Sequence, residues 1–125
     1  MITKDQMIPL IQDTFPDFEY DTEDLDTPYV ILSDFSRYLL ELYWSGDIDT
    51  LKRASEIIEG LHLEGDPYVR EAATIGILEA IQNNWDHDGI GANKFYEYLL
   101  PESKRWWNSL NRFWQKEIPY VGADL

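Results

Sequence analysis

The chain contains no cysteine, which excludes disulfides, thiolate metal sites and a cysteine nucleophile. Histidine is scarce. His62 and His87 stand alone, with no H-x-x-x-H pair and no carboxylate at the spacing a zinc site requires. Positive charge is scarce as well: 10 Lys and Arg face 24 Asp and Glu, a formal net charge of −14. Such a field repels nucleic acid and anionic membranes and attracts basic proteins. No run approaches the roughly 20 apolar residues that span a bilayer. The opening MITKDQMIPL lacks the long apolar core of a secretory signal. There is no G-x-S-x-G and no phosphate loop. DGIGANK has two glycines but lacks the G-K-[ST] ending. A cytoplasmic, non-enzymatic protein is expected, with no cofactor, no metal, and neither nucleic acid nor membrane as partner.

What is present is apolar and aromatic. Hydrophobic residues make up 44% of the 125, including five Trp, eight Tyr and five Phe. A chain of this length and composition encloses one core, so a single domain over 1–125 is expected. No segment shows sustained strand alternation. The reading is all-α: a compact domain of about six helices joined by short turns.

The helix signals are local. Thr3 and Gln6 can form a capping box ahead of Met7, Ile8, Leu10, Ile11 and Phe15, with Pro9 inside the stripe and Pro16 ending it. Thr27 and Pro28 open a second helix that Gly46 closes. A third is expected from Asp49 to Gly65, with Leu51, Ala54, Ile57, Ile58 and Leu61 on one face. Asp66 and Pro67 open a fourth with a small-residue face (Ala72, Ala73, Gly76), ended by Asn83 and Asn84. A short helix follows around 94–99. Pro101 opens the last, where Trp106, Trp107, Leu110, Phe113 and Trp114 read as a core-facing stripe. The segment 118–125 reads as an extended tail. DPYVREAATIGIL resembles the second helix of a HEAT-type repeat, on Asp66, Pro67, Val69, Arg70, Ala72, Ala73 and Leu78. No second copy appears at a 40-residue period, so HEAT-like helix-pair packing within one compact domain is expected, not a solenoid.

Two motifs invite a ligand. Asn84, Asp86, Asp88 and Gly89 match the start of an EF-hand loop, but Phe95 stands where the bidentate glutamate belongs. A turn rich in turn-forming residues explains them. SKRWWNSLNRFWQK interleaves Lys104, Arg105, Arg112 and Lys116 with aromatics, as single-strand binders do. Against the acidic whole, these bases are better read as neutralising part of the chain's own field.

The densest charge lies in DFEYDTEDLD, 17–26, within a connector spanning 16–27. Asp17, Glu19, Asp21, Glu23, Asp24 and Asp26 occur there with no lysine or arginine, interleaved with Phe18, Tyr20 and Leu25. Such a segment is either a solvated connector or a contact surface, with carboxylates for a partner's arginines and aromatics for its apolar centre. Asp17, Glu19, Tyr20, Asp21, Glu23, Asp24 and Asp26 are the candidate partner-binding residues.

PYVILSDFSRYLLELYWSGD, DPYVREAATIGILEAI, LPESKRWWNSL and the following FW resemble a family of small acidic bacterial immunity proteins of polymorphic toxin systems, including contact-dependent growth inhibition. The resemblance covers about 27–115. It implies a cytoplasmic inhibitor that binds a toxin's C-terminal domain one to one, a basic nuclease in particular, and plugs its substrate cleft. It assigns no binding residue here; the acidic positions come from the charge pattern. The competing expectation is a HEAT-like helical adaptor that binds a peptide segment through aromatics.

Overall fold

The computed structural model describes all residues, Met1–Leu125. It is an all-α domain of six helices: α1 (Lys4–Thr14), α2 (Pro28–Ser45), α3 (Ile48–Glu64), α4 (67–87), α5 (Asn93–Tyr96) and α6 (Pro101–Trp114). A 3₁₀ turn, Thr22–Asp26, interrupts the connector between α1 and α2.

Helix starts follow side-chain chemistry. In α1 the Gln6 amide oxygen accepts from the Thr3 N–H at 3.0 Å, the returning half of a capping box. The helix runs through Pro9 without ending, so the proline costs one ladder hydrogen bond in the second turn. Helix α2 ends at Gly46, whose φ of 77° is the left-handed stop. Asp47 then caps α3 at once, accepting from the Thr50 N–H at 3.2 Å and its hydroxyl at 2.8 Å. The third helix thus starts earlier than the Asp49 expectation, because the nearer carboxylate already meets the orphan N–H.

Helix α4 has three parts: α-helical Pro67–Glu71, a π-helical Ala72–Leu78, and α-helical Glu79–His87. In the wide middle turn the Glu79 N–H donates to the Thr74 carbonyl. Wide turns of this kind recur at functional sites. The helix continues past Asn83 and Asn84, correcting the expected stop. Its last turn is fastened to α2: the Asn84 amide donates to the Ser36 hydroxyl at 2.6 Å and the Trp85 indole N–H to the Ser36 carbonyl at 3.3 Å. Trp85 is fully buried.

Helix α2 is the central element. Ile31, Leu32, Phe35 and Leu39 are fully buried, and the helix packs along α4 and against α3. Gly76 permits that approach, since a methyl there would stand 2.6 Å from the Leu32 Cδ1. Val69, Ala72 and Ala73, the HEAT-like positions, are buried as expected. Arg70 instead stays exposed, its Nε donating to the Gly65 carbonyl at 2.7 Å. The only β-type pairing is a bridge between Ile2 and Gly65: the Ile2 N–H donates to the Glu64 carbonyl at 2.7 Å, and the Asp66 N–H to the Ile2 carbonyl at 2.8 Å. No helix is long and apolar enough to cross a membrane.

The tail is not extended. After Trp114 the chain makes successive turns and folds back on α6. The Gly122 N–H donates to the Ser109 hydroxyl at 2.7 Å, that hydroxyl donates to the Asp124 carboxylate at 2.8 Å, and Arg112 pairs with the other oxygen of Asp124. These bonds hold the Asp124 carboxyl below its ordinary range. Gly122 has φ 92° and lies on the Trp106 ring, where a methyl would come within 2.7 Å. Local turns shape the tail, the Ala123 N–H donating to the Tyr120 carbonyl and the Leu125 N–H to the Gly122 carbonyl, both at 3.1 Å, and Ser109 and Arg112 of α6 fasten them to the helix.

Candidate protein-binding surfaces

The acidic connector is more than a solvated linker. Phe18 is 3% exposed and packs against Phe35 at 5.3 Å and Tyr38 at 5.4 Å between ring centroids, so it is core and unavailable to a partner. The Gln12 amide donates to the Phe18 carbonyl at 2.9 Å, and the Asp21 side chain caps the 3₁₀ turn through the Glu23 N–H at 2.9 Å. This pins the backbone. Asp17, Glu19, Asp21, Glu23 and Asp26 remain exposed, Asp24 and Tyr20 are half-buried, and Leu25 is exposed. None of the six carboxylates belongs to an ion pair; the three pairs of the fold are Arg37–Asp34, Arg105–Glu102 and Arg112–Asp124.

Folding also adds acids that the segment does not contain. Asp17 and Glu19 meet Asp34 and Glu41 of α2 around Tyr38 and Arg37, in an open hollow of about 240 Å³. Asp21, Glu23, Asp24, Asp26 and Tyr20 do not line it. The Tyr38 hydroxyl is shifted upward, first by burial and then by Asp17, Asp47 and Glu41, against the opposing Arg53. Arg37 is the lone cation lining the hollow, and it is held by Asp34 at 3.0 Å.

A second arrangement was not legible in the motifs. Glu59 on α3 reaches the start of α6. One oxygen accepts from the Glu102 N–H at 3.0 Å; the other accepts from the Ser103 N–H at 2.9 Å and hydroxyl at 2.8 Å. The N-cap residue of α6 is Leu100, which has no polar side chain, so Glu59 caps the helix from another element. Burial alone would raise the Glu59 carboxyl; those hydrogen bonds outweigh it and hold it below the ordinary range. His62 bridges onward, Nδ1 to the Ser103 hydroxyl and Nε2 to the Thr74 hydroxyl, both at 2.9 Å. The Ser103 proton goes to Glu59, so Nδ1 must donate. Burial drops the imidazole pKa to about 4, despite Glu59 and Glu102 nearby, so the ring is neutral at pH 7 and its bare Nε2 accepts from the Thr74 hydroxyl. The clue available in the sequence was Leu100 before Pro101, a helix start lacking its own cap.

Thr74 also forms part of the floor of an apolar groove of about 660 Å³ between α4 and α6. Arg70, Glu71, Ile75 and Glu79 line the α4 side. Trp106, Phe113 and Trp114 line the α6 side, and Tyr120 and Val121 of the folded-back tail close it. The aromatic stripe of α6 is thus split: Trp107 and Leu110 are core, while Trp114 is 54% exposed. The bases of α6 serve the fold itself. Lys104 sits 5.2 Å over the Tyr96 ring, Arg105 pairs with Glu102, and Arg112 with Asp124.

The EF-hand-like residues do not converge. Asn84 is bound to Ser36, and the Asp86 carboxylate closes its own loop by accepting from the Ala92 N–H at 2.7 Å. No group of three His, Asp or Glu side chains is placed to hold a metal ion.

Comparison with curated proteins and with solved structures found no match. Residues 8–115 match a family described as a domain of unknown function, DUF7674, a span that includes the acidic connector, the Glu59–His62 network and most of the groove. The chain belongs to the DUF7674 family.

Proposed function

We propose that this chain is a non-enzymatic protein-binding inhibitor that captures a basic protein domain through its acidic face, in the manner of an immunity protein neutralising a toxin. The observation that carries the reading is the hollow where Asp17 and Glu19 meet Asp34 and Glu41 with one cation, itself paired, among them. Crowded carboxylates repel one another; a partner's arginines relieve that repulsion and form charge-assisted hydrogen bonds. The net charge of −14 speeds the encounter. A nuclease suits the proposal best, because its substrate cleft is basic and an acidic plug excludes the phosphate backbone. A one-to-one complex in the cytoplasm follows, and nucleic acid is not a ligand.

The test is growth rescue by co-expression with a toxin domain encoded beside this gene, followed by calorimetry of the pair at low and high salt. Rescue, tight binding that weakens with salt, and at least tenfold loss in Asp17→Lys/Glu19→Lys/Glu41→Lys are expected. Failure of rescue together with absence of binding overturns the reading. The second reading, a peptide-binding adaptor, is favoured by the aromatic groove between α4 and α6 and predicts binding that salt leaves unchanged.

A further inference from the structure

The groove between α4 and α6 has the chemistry of a contact site that is independent of the acidic face. Its aromatic wall is unusually open: Trp114 is 54% exposed and Tyr120 65%. Large aromatic rings left uncovered beside polar groups are what interface centres are made of. The opposite wall carries Glu71 and Glu79, and neither is in an ion pair. Burial raises the Glu79 carboxyl. Tyr29, beneath the same carboxylates, is pushed up to about 12 by burial, Glu71, Tyr68 and Glu79. This wall therefore carries two carboxylates outside any ion pair, of which Glu79 is partly desolvated. Arg70 is the one cation lining the groove, and its Nε is fastened to the Gly65 carbonyl, toward the start of α4. Glu71 follows Arg70 directly, whereas Glu79 lies nine positions on, about 13 Å along a helix. Glu79 is thus the carboxylate that stands away from the groove's arginine.

We propose that this groove binds a short amphipathic segment of a basic protein partner, its apolar side chains on Trp114 and Tyr120 and an arginine or lysine reaching Glu71 and Glu79. Charge complementarity selects this occupant. An anionic or neutral segment would leave Glu79 without a counter-charge, whereas a guanidinium gains that carboxylate and the faces of the indole rings. A tail that turns back so that Tyr120 and Val121 complete the wall holds the rings in place before binding, which lowers the ordering cost.

The experiment uses the full chain and three acetylated, amidated heptapeptides of leucine and serine that carry arginine, glutamine or glutamate at the same two positions. The readout is the indole N–H signals in a nitrogen-edited NMR titration, with circular dichroism to confirm folding. The arginine peptide is expected to shift the Trp106 and Trp114 indoles and bind at least tenfold tighter than the glutamate peptide. Trp114→Ala/Tyr120→Ala should weaken it at least tenfold, and Glu71→Gln/Glu79→Gln should make arginine and glutamine peptides equal. Asp17→Lys/Glu19→Lys should leave the titration intact, which separates this site from the acidic face. Absence of indole shifts, equal binding of all three peptides, or loss in the acidic-face variant alone overturns the proposal. So does a concentration-dependent dimer in sedimentation that Trp114→Ala/Tyr120→Ala abolishes, since the occupant would then be a second copy of the chain.

Discussion

Glu59 on α3 holds both the N–H and the hydroxyl of Ser103 on α6, 44 positions away, with a single carboxylate oxygen at 2.9 and 2.8 Å. A helix start is thereby completed from a different helix. Removing the carboxylate orphans three donors in a buried site. Glu59→Ala should therefore lower stability by about 2–4 kcal/mol in urea denaturation. Glu56→Ala, an exposed glutamate on the same helix, should stay within about 0.5 kcal/mol. Equal effects would mean that Glu59 does not serve as a cap.

His62 makes stability depend on pH. Its folded pKa is about 4, below the unfolded 6.5. Between those values the unfolded chain binds a proton that the folded chain refuses, so stability falls as pH drops. The contribution is complete above about pH 6.5 and is lost toward about pH 4, with a limiting slope near 1.4 kcal/mol per pH unit. Urea midpoints at pH 7, 6 and 5 should fall more steeply for the wild type than for His62→Gln, which cannot titrate. Parallel curves would contradict the buried neutral imidazole.

Two glycines one helical turn and a half apart should respond with opposite signs. A Cβ at Gly65 would stand 2.6 Å from Val69 Cγ1 and press on the Leu61 carbonyl, so Gly65→Ala should destabilise by about 1–3 kcal/mol. A Cβ at Gly60, inside α3, meets nothing within 4 Å, so Gly60→Ala should stabilise by about 0.5–1 kcal/mol. Thermal melts of the two variants decide both.

The acidic face should cost the free protein stability. Raising NaCl from low to high concentration screens exposed charges more than about 10 Å apart at 0.1 M. The melting temperature should rise with salt, and Asp17→Asn/Glu19→Gln should reduce that rise. A salt-independent melt would show that the carboxylates do not strain the fold.

Much of the helical skeleton was legible because its signals are local. Asp66 before Pro67, and Gly46 after an apolar helix, are chemical instructions to nearby backbone groups. The errors lie where distant groups decide. The expected stop at Asn83 and Asn84 was overruled by Ser36, which binds both Asn84 and Trp85. Phe18, counted among the apolar contacts of the acidic segment, was drawn into the core by Phe35 and Tyr38. The tail reads as extended until Ser109 and Arg112 supply its partners. Within the acidic segment the charge was plain, but only the fold brings Asp34 and Glu41 beside Asp17 and Glu19. Glu59, His62, Thr74 and Ser103 span three helices, and no spacing rule joins them.

The wide turn at Ala72–Leu78 acts as a phase shifter. Upstream of it α4 offers Val69 to the interior; downstream it offers Ile81 and Trp85. A regular helix advances about 100° per residue, which would set Val69 and Ile81, 12 positions apart, about 120° out of phase. Each i→i−5 bond takes up one residue more per turn than the regular ladder, so the wide turn absorbs the surplus residue and both halves keep one buried stripe. Forced into a regular ladder, the same residues would turn the downstream half by about 100°, carrying Trp85 off Ser36 and Glu79 off the groove.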